Sequence, residues 1–315
     1  MPNQQPATCP YVTGNTITLR LDTPCTQQPT TITGQITQVF EPFTLSSAMV
    51  IILDYPSLGL GGEVALKLFD RRFATQFRED EDIEPWTLDI ETQYLDYIRN
   101  GSAAAFIRKL DSDSTVDGDD GEEDEEEEGT WTTSQNEAYL HHRMRNLYET
   151  EVEVYHALKE IQGKHVPRLY ACVTVAGSAN EYTDIPGVLL QYVRGFQLRD
   201  IAAHAPRDAW QGVCEEAISI VHRVGEKGVL NKDVKTRSFI VSGDAGEGFR
   251  VFMIDFALCR LRREYRDDED WWWWKALQDE EGAVGFLMQK YLKGGFVYRR
   301  SELYEKLDLE FKSEG

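Results

Sequence analysis

Two short apolar stretches, VLNKDVKTRSFIV at 229–241 and VFMIDFALC at 251–259, each carry one aspartate in strand-like surroundings. An unpaired carboxylate is costly to bury. The fold must therefore bring both Asp233 and Asp255 to a cation, a metal or the surface, and this requirement narrows the choice of fold more than any other feature. A lysine, Lys235, stands two residues after the first of them.

The segments around this pair have readable periods. TITGQITQVF, AMVIILDY and EVALKLFD are β-branched or apolar runs separated by turn-formers, which predicts three antiparallel strands, the last two joined through PSLGLGG. Leu88, Glu91, Tyr94, Leu95 and Ile98 fall at helical spacing, as do Leu147, Glu151, Tyr155 and Leu158 in a second helix that ends at Gly163. GVLLQYVRG, 187–195, reads as a buried strand. Trp210, Val213, Ala217, Ile220 and Val224 then predict a core-facing helix starting near Asp208. In the WWWW run, Trp271 and Trp274 share a helical face suited to a core, and Trp272 or Trp273 could serve a protein partner.

Charge is concentrated. Residues 111–128, DSDSTVDGDDGEEDEEEE, hold twelve acidic residues among eighteen with Val116 as their one apolar residue, so a disordered, solvated loop is expected. A net charge of −21 argues against nucleic-acid and anionic-membrane partners, both of which need a basic footprint. The first residues lack the basic and apolar regions of a signal peptide, and no apolar run is long enough to span a bilayer. Cys9, Cys25, Cys172, Cys214 and Cys259 have no CxxC spacing and read as free thiols. An intracellular location, cytoplasmic or nuclear, is expected.

Strands, then a helix, then strands and mostly helices is the order of elements in a two-lobed protein kinase, and three partial motifs fit it in sequence. VALK, 64–67, matches the strand that supplies a phosphate-gripping lysine; NKDVKTRS matches a catalytic loop, with Asp233 five residues before Ser238; IDFA places Asp255 and Phe256 where D-F-G would stand. Phosphoryl transfer needs cations against the phosphate oxygens and a carboxylate on the attacking hydroxyl. The roles expected are Lys67 as clamp, held by Glu151 (Glu149 and Glu153 being alternatives), Asp255 and Ser238 on Mg²⁺, Asp233 on the acceptor hydroxyl, and Lys235 on the transferring phosphate. Leu190, with Gln191 and Val193 offering carbonyl and amide, would take the adenine. A GTPase reading of NKD fails, because guanine recognition uses N-K-x-D and there is no G-x-x-x-x-G-K-[ST] loop.

The blocks ALKLFDRRFATQFRED, IQGKHVPRLY, GVLLQYVRGFQL and NKDVKTRSFIV…MIDFALCR resemble those of fungal protein kinase-like proteins, over roughly residues 35–298. The resemblance implies a kinase-like fold and says little about substrate. The architecture expected is α+β and two-lobed: a flexible tail over 1–30, an N-terminal lobe over 31–190 with a large insertion at 70–140, and a shortened C-terminal lobe over 191–315. ATP and Mg²⁺ are the expected cofactors. The phosphate acceptor, small molecule or protein, is left open.

The departures from the kinase pattern bear on activity. Asn231 stands at the H-R-D histidine, a bracing position. Ser238 replaces an asparagine ligand with a shorter, weaker oxygen. Ala257 replaces the D-F-G glycine. No G-x-G-x-x-G precedes VALK, and no A-P-E follows in the sixty residues after Asp255. These differences favour a small-molecule phosphotransferase, or a pseudokinase that acts as an interaction scaffold.

Overall fold

The computed structural model describes residues 9–21, 30–113, 131–244, 246 and 248–311. The chain divides into two compact units, one of Met1–Tyr148 with Tyr170–Leu190 and the other of Glu149–Leu169 with Gln191–Gly315.

The first unit corrects the architecture expected from the sequence. Instead of the first lobe of a two-lobed kinase-like fold, with three leading strands behind a tail, it contains a closed antiparallel barrel in the order β1-β2-β3-β4-β6-β5. Its strands are β1 (Thr16–Leu21), β2 (Thr30–Phe40), β3 (Ser47–Tyr55), β4 (Leu60–Leu68), β5 (Leu169–Val175) and β6 (Ile185–Gln191). The difference lies in β1. Within the stretch expected to be a tail, TITLRL buries Ile17, Leu19 and Leu21 at alternate positions, pairs along its length with β2, and closes the ring through Arg20 opposite Thr174 and Leu21 opposite Val173. Closure leaves no open edge to be covered. Interior side chains from all the strands, among them Leu19, Ile32, Ile51, Leu66 and Val173, form one apolar core. Gly34 has a packing role here: a Cβ at this position would come within 2.9 Å of the Ile51 and Leu53 side chains.

Residues 70–140 add α1 (Thr75–Asp80), α2 (Leu88–Arg99) and α3 (Ser102–Asp113), followed by the long α4 (Thr133–Ala157). Thr87 caps α2 by accepting a hydrogen bond from Ile90 N–H, and Ile90, Tyr94 and Ile98 form its buried stripe. The chain here is anchored by charge as well as by packing. Arg71 and Arg78 both reach Glu137, Arg71 also binds Glu91 at 2.6 Å, and Asp70 takes Arg72 and the Tyr11 hydroxyl. Arg71, Arg78, Asp70 and Glu137 are buried, so each depends on its partners. The acidic stretch begins at the end of α3, and from residue 114 onward it lies outside the described residues.

The second unit contains β7 (Phe196–Gln197), α5 (Ile201–His204), α6 (Trp210–Glu226), β8 (Val229–Asn231), β9 (Phe239–Asp244), β10 (Gly248–Met253), β11 (Cys259–Leu261), α7 (Asp268–Gln278), α8 (Glu280–Leu292) and α9 (Glu302–Phe311). Its core helix is α6, which buries Val213, Cys214, Ala217, Ile220, Val221 and Val224 as its period requires. The tryptophan run forms α7. Trp271 is fully buried with Leu230 and Tyr265, Trp272 and Trp274 pack against that cluster, and Trp273 is exposed.

Glu281 on α8 accepts hydrogen bonds from His222 Nε2 (2.7 Å), the Tyr298 hydroxyl (2.6 Å) and both the N–H and the hydroxyl of Ser301 (2.9 and 2.5 Å). Burial pushes its carboxyl up, but hydrogen bonds from His222, Ser301 and Tyr298 outweigh burial and hold it at about 2. A carboxyl depressed in the folded state contributes stability that is fully present above its unfolded value and is lost as pH falls through the folded one. The melting temperature should therefore decline as pH falls from about 4.5 towards 2. Glu281→Gln should be less stable at neutral pH and should decline less over that window; a parallel decline in both proteins would remove Glu281 from the explanation.

Candidate functional site

The site is built on two connections in the second unit, the loop from β8 to β9 and the segment from β10 to β11. Strand pairing sets their register. β8 pairs with β11, with Asn231 opposite Cys259, and β9 pairs with β10, with Phe239 opposite Met253. The residues that leave these strands, 232–238 and 254–258, are therefore neighbours. Two backbone bonds seal them together: Ile254 N–H donates to Ser238 O at 2.8 Å, and Lys232 N–H to Leu258 O at 3.3 Å.

Asn231 joins the two aspartates. Its side-chain amide donates to the Asp255 backbone carbonyl at 3.0 Å, while its side-chain oxygen accepts the Asp233 N–H at 2.9 Å. An amide with a donor and an acceptor can bridge two backbones in this way, and Asn231 is itself buried.

Asp255 is held at φ 72°, in the left-handed region, where non-glycine residues are uncommon. Its side chain is exposed, while the following Phe256 and Ala257 are buried. Phe256 lies edge-on to Tyr155 of α4, with ring centroids 5.3 Å apart. Burial drives the Tyr155 hydroxyl well above its ordinary pKa, reinforced by the negative charges of Glu151 and Asp255. Those two carboxylates therefore share one neighbourhood around a buried aromatic pair. Of the three glutamates considered on this helix, Glu151 is buried, Glu153 pairs with Arg263, and Glu149 is exposed.

Asp233 and Lys235 form an ion pair at 2.5 Å, both partly exposed. Ser238 closes the 3-10 turn Thr236–Ser238, donates its N–H to Lys235 O at 2.9 Å, and is buried. Asp233, Lys235, Ser238 and Asp255 therefore belong to one pair of abutting loops. Lys67 and Leu190 belong to the first unit. Lys67 lies opposite Ala48 in the β3–β4 ladder with Nζ 5.4 Å from the centroid of the Phe69 ring, and Leu190 is buried near the end of β6. Gln191 N–H donates to Arg168 O at 2.8 Å, and its side-chain oxygen accepts the Arg168 N–H at 3.3 Å. Val193 lies in the half-buried stretch beyond β6.

Sequence reasoning missed Glu280. Fully buried at the start of α8, it accepts the Asn231 N–H at 2.9 Å through one oxygen and forms an ion pair with buried Lys275 through the other. The β8 loop thus rests on a buried charge from a helix residue 49 positions further along the chain. Its signal in the sequence is an acidic residue in DEE ahead of an apolar run, which also fits an ordinary helix start.

Among the described residues no group of three or more His, Cys, Asp or Glu side chains could hold a metal alone.

No protein-family model and no curated protein matches the sequence. Among solved structures, the chain is similar to that of the Rad53 kinase domain with SCD2, at 13% identity and a TM-score of 0.38, covering 88% of this chain and 73% of that one. Among the described residues no helix is long and apolar enough to cross a membrane.

Proposed function

We propose that this chain binds ATP with Mg²⁺ and transfers the γ-phosphate to a hydroxyl acceptor. The observation that carries the reading is the Asn231 bridge, which fixes an exposed aspartate in a left-handed conformation beside a second aspartate paired with lysine. Strained backbone held in place by a buried side chain is typical of functional loops. Asp255, with Ser238 beside it, would hold Mg²⁺, and the ion would supply positive charge against the phosphate oxygens. Asp233 orients the acceptor hydroxyl and receives its proton. Lys235 would neutralise the transferred group.

One observation favours a second reading, nucleotide binding without turnover. Ser238 is buried and offers a single hydroxyl where two-metal chemistry uses an amide oxygen. Both readings require binding. At a hundred times its dissociation constant, Mg-ATP should stabilise the protein by about 2.7 kcal/mol, a rise of several degrees in melting temperature, with a smaller rise when EDTA removes the metal. No shift with saturating ATP, with and without Mg²⁺, would sink both.

A further inference from the structure

Lys235 faces more than Asp233. It also lines a groove of about 420 Å³ on the second unit with Arg199, Arg237, Leu287 and Tyr291. The cations come from separate places: Arg199 from the 3-10 turn Leu198–Asp200, and Lys235 and Arg237 from the β8–β9 connection. Asp200 is the one carboxylate of the lining, so three cations meet a single anion there. Asp200 lies 3.6 Å from Arg199, Lys235 is held by Asp233, and among the described residues Arg237 makes no ion pair or side-chain hydrogen bond and is exposed. Two apolar side chains are also part of the lining. Leu287 and Tyr291 stand one turn apart on α8, 37% and 54% exposed.

A cationic groove on a chain of net charge −21 is a local exception to the protein's own field. Its cations are spread over two elements, and two apolar side chains come from a third. Several cations beside exposed hydrocarbon suit an extended segment with several carboxylates and some apolar surface. Lys235 ties the groove to Asp233, the group assigned to the acceptor hydroxyl.

We propose that this groove is the acceptor site and that it takes an acidic peptide segment carrying serine or threonine. The inference rests on the phosphotransfer reading above. The hydroxyl oxygen of the peptide attacks the γ-phosphorus, an O–P bond forms as the bond to the ADP oxygen breaks, and the hydroxyl proton passes to Asp233. The products are a phosphopeptide, ADP and, after release, one proton.

Residues 111–128 of this chain, acidic and containing Ser112, Ser114 and Thr115, supply the sequence of a probe. A labelled synthetic peptide of that sequence should bind the full-length protein, more weakly as salt is raised. A peptide with asparagine and glutamine in place of every aspartate and glutamate should bind at least about tenfold more weakly, because each lost charge contact removes a share of the electrostatic attraction. Arg199→Glu and Arg237→Glu should each weaken the acidic peptide by a similar factor, Arg237→Lys should restore most of it, and the Mg-ATP shift should stay at the wild-type value in all three variants. Equal binding of the two peptides, or full binding by the Arg199→Glu/Arg237→Glu double variant, would overturn the proposal. So would inorganic phosphate displacing the peptide at an affinity equal to the peptide's own, since the occupant would then be a small anion. Failure of the wild-type protein to bind the acidic peptide, alongside a normal Mg-ATP shift, removes this inference alone, whereas peptide binding by the wild type without any nucleotide shift removes the phosphotransfer reading and leaves a groove for acidic segments.

Discussion

Replacing Glu280 with alanine should destabilise the protein by about 3–5 kcal/mol, the typical cost of breaking a buried ion pair from one side. Lys275 would be left buried and charged, and the Asn231 N–H would lose its acceptor. The two losses can be separated. Glu280→Gln keeps an oxygen for Asn231 and forfeits the ion pair, while Lys275→Met with Glu280→Leu removes both charges and leaves only the Asn231 N–H unsatisfied, at about 1–3 kcal/mol. Denaturant unfolding should therefore rank the double variant as less damaged than Glu280→Ala. If alanine cost no more than an exposed substitution, within about 0.5 kcal/mol, Glu280 would not be the support of the β8 loop.

Asp233→Asn should lower ADP release in the presence of an acceptor by about 10²–10⁴-fold, the usual contribution of a positioned general base, while Mg-ATP binding is retained. Asparagine keeps the shape of the side chain, and the Asn231 contact to residue 233 runs through the backbone. The lost pair with Lys235 is partly exposed on both sides, so its removal should cost little stability. A wild-type protein that binds Mg-ATP but releases no ADP above the uncatalysed rate with acidic peptides, together with a Ser238→Asn variant equally inert, would favour the binding-only reading. Equal turnover by Asp233→Asn and wild type would remove Asp233 from the chemistry.

Sequence legibility followed the strength of the local pattern. Asp233 and Asp255 were visible because a carboxylate in an apolar run demands compensation, and α2, α4 and α6 because their apolar residues recur at helical spacing over many residues. The closed barrel was not visible. β1 has three inward apolar residues in a threonine-rich stretch, a short signal, and its partner β5 lies about 150 residues further along the chain, so closure depends on long-range pairing that no local period encodes. Among three glutamates at alternate positions, helical spacing with Tyr155 and Leu158 points to Glu151 as the inward one, and it is the buried one on α4. Glu280 was hidden for a related reason: its partners, Asn231 and Lys275, lie on other elements, and an acidic residue at a helix start has an ordinary explanation of its own.

The proposed nucleotide site assigns the metal to the exposed carboxylate of Asp255, and a calorimetric titration of Mg-ATP into wild type and Asp255→Asn tests that assignment directly. Asparagine is among the residues that best tolerate the left-handed backbone, so the variant should keep its unliganded melting temperature. The expected result is measurable binding to the wild type, weakened when EDTA is present, and binding at least about tenfold weaker in Asp255→Asn, because a neutral amide is a poorer ligand for a hard divalent cation than a carboxylate. Binding of Mg-ATP to Asp255→Asn as tight as to the wild type, or no binding to the wild type with or without the metal, would contradict the assignment of these loops to nucleotide chemistry.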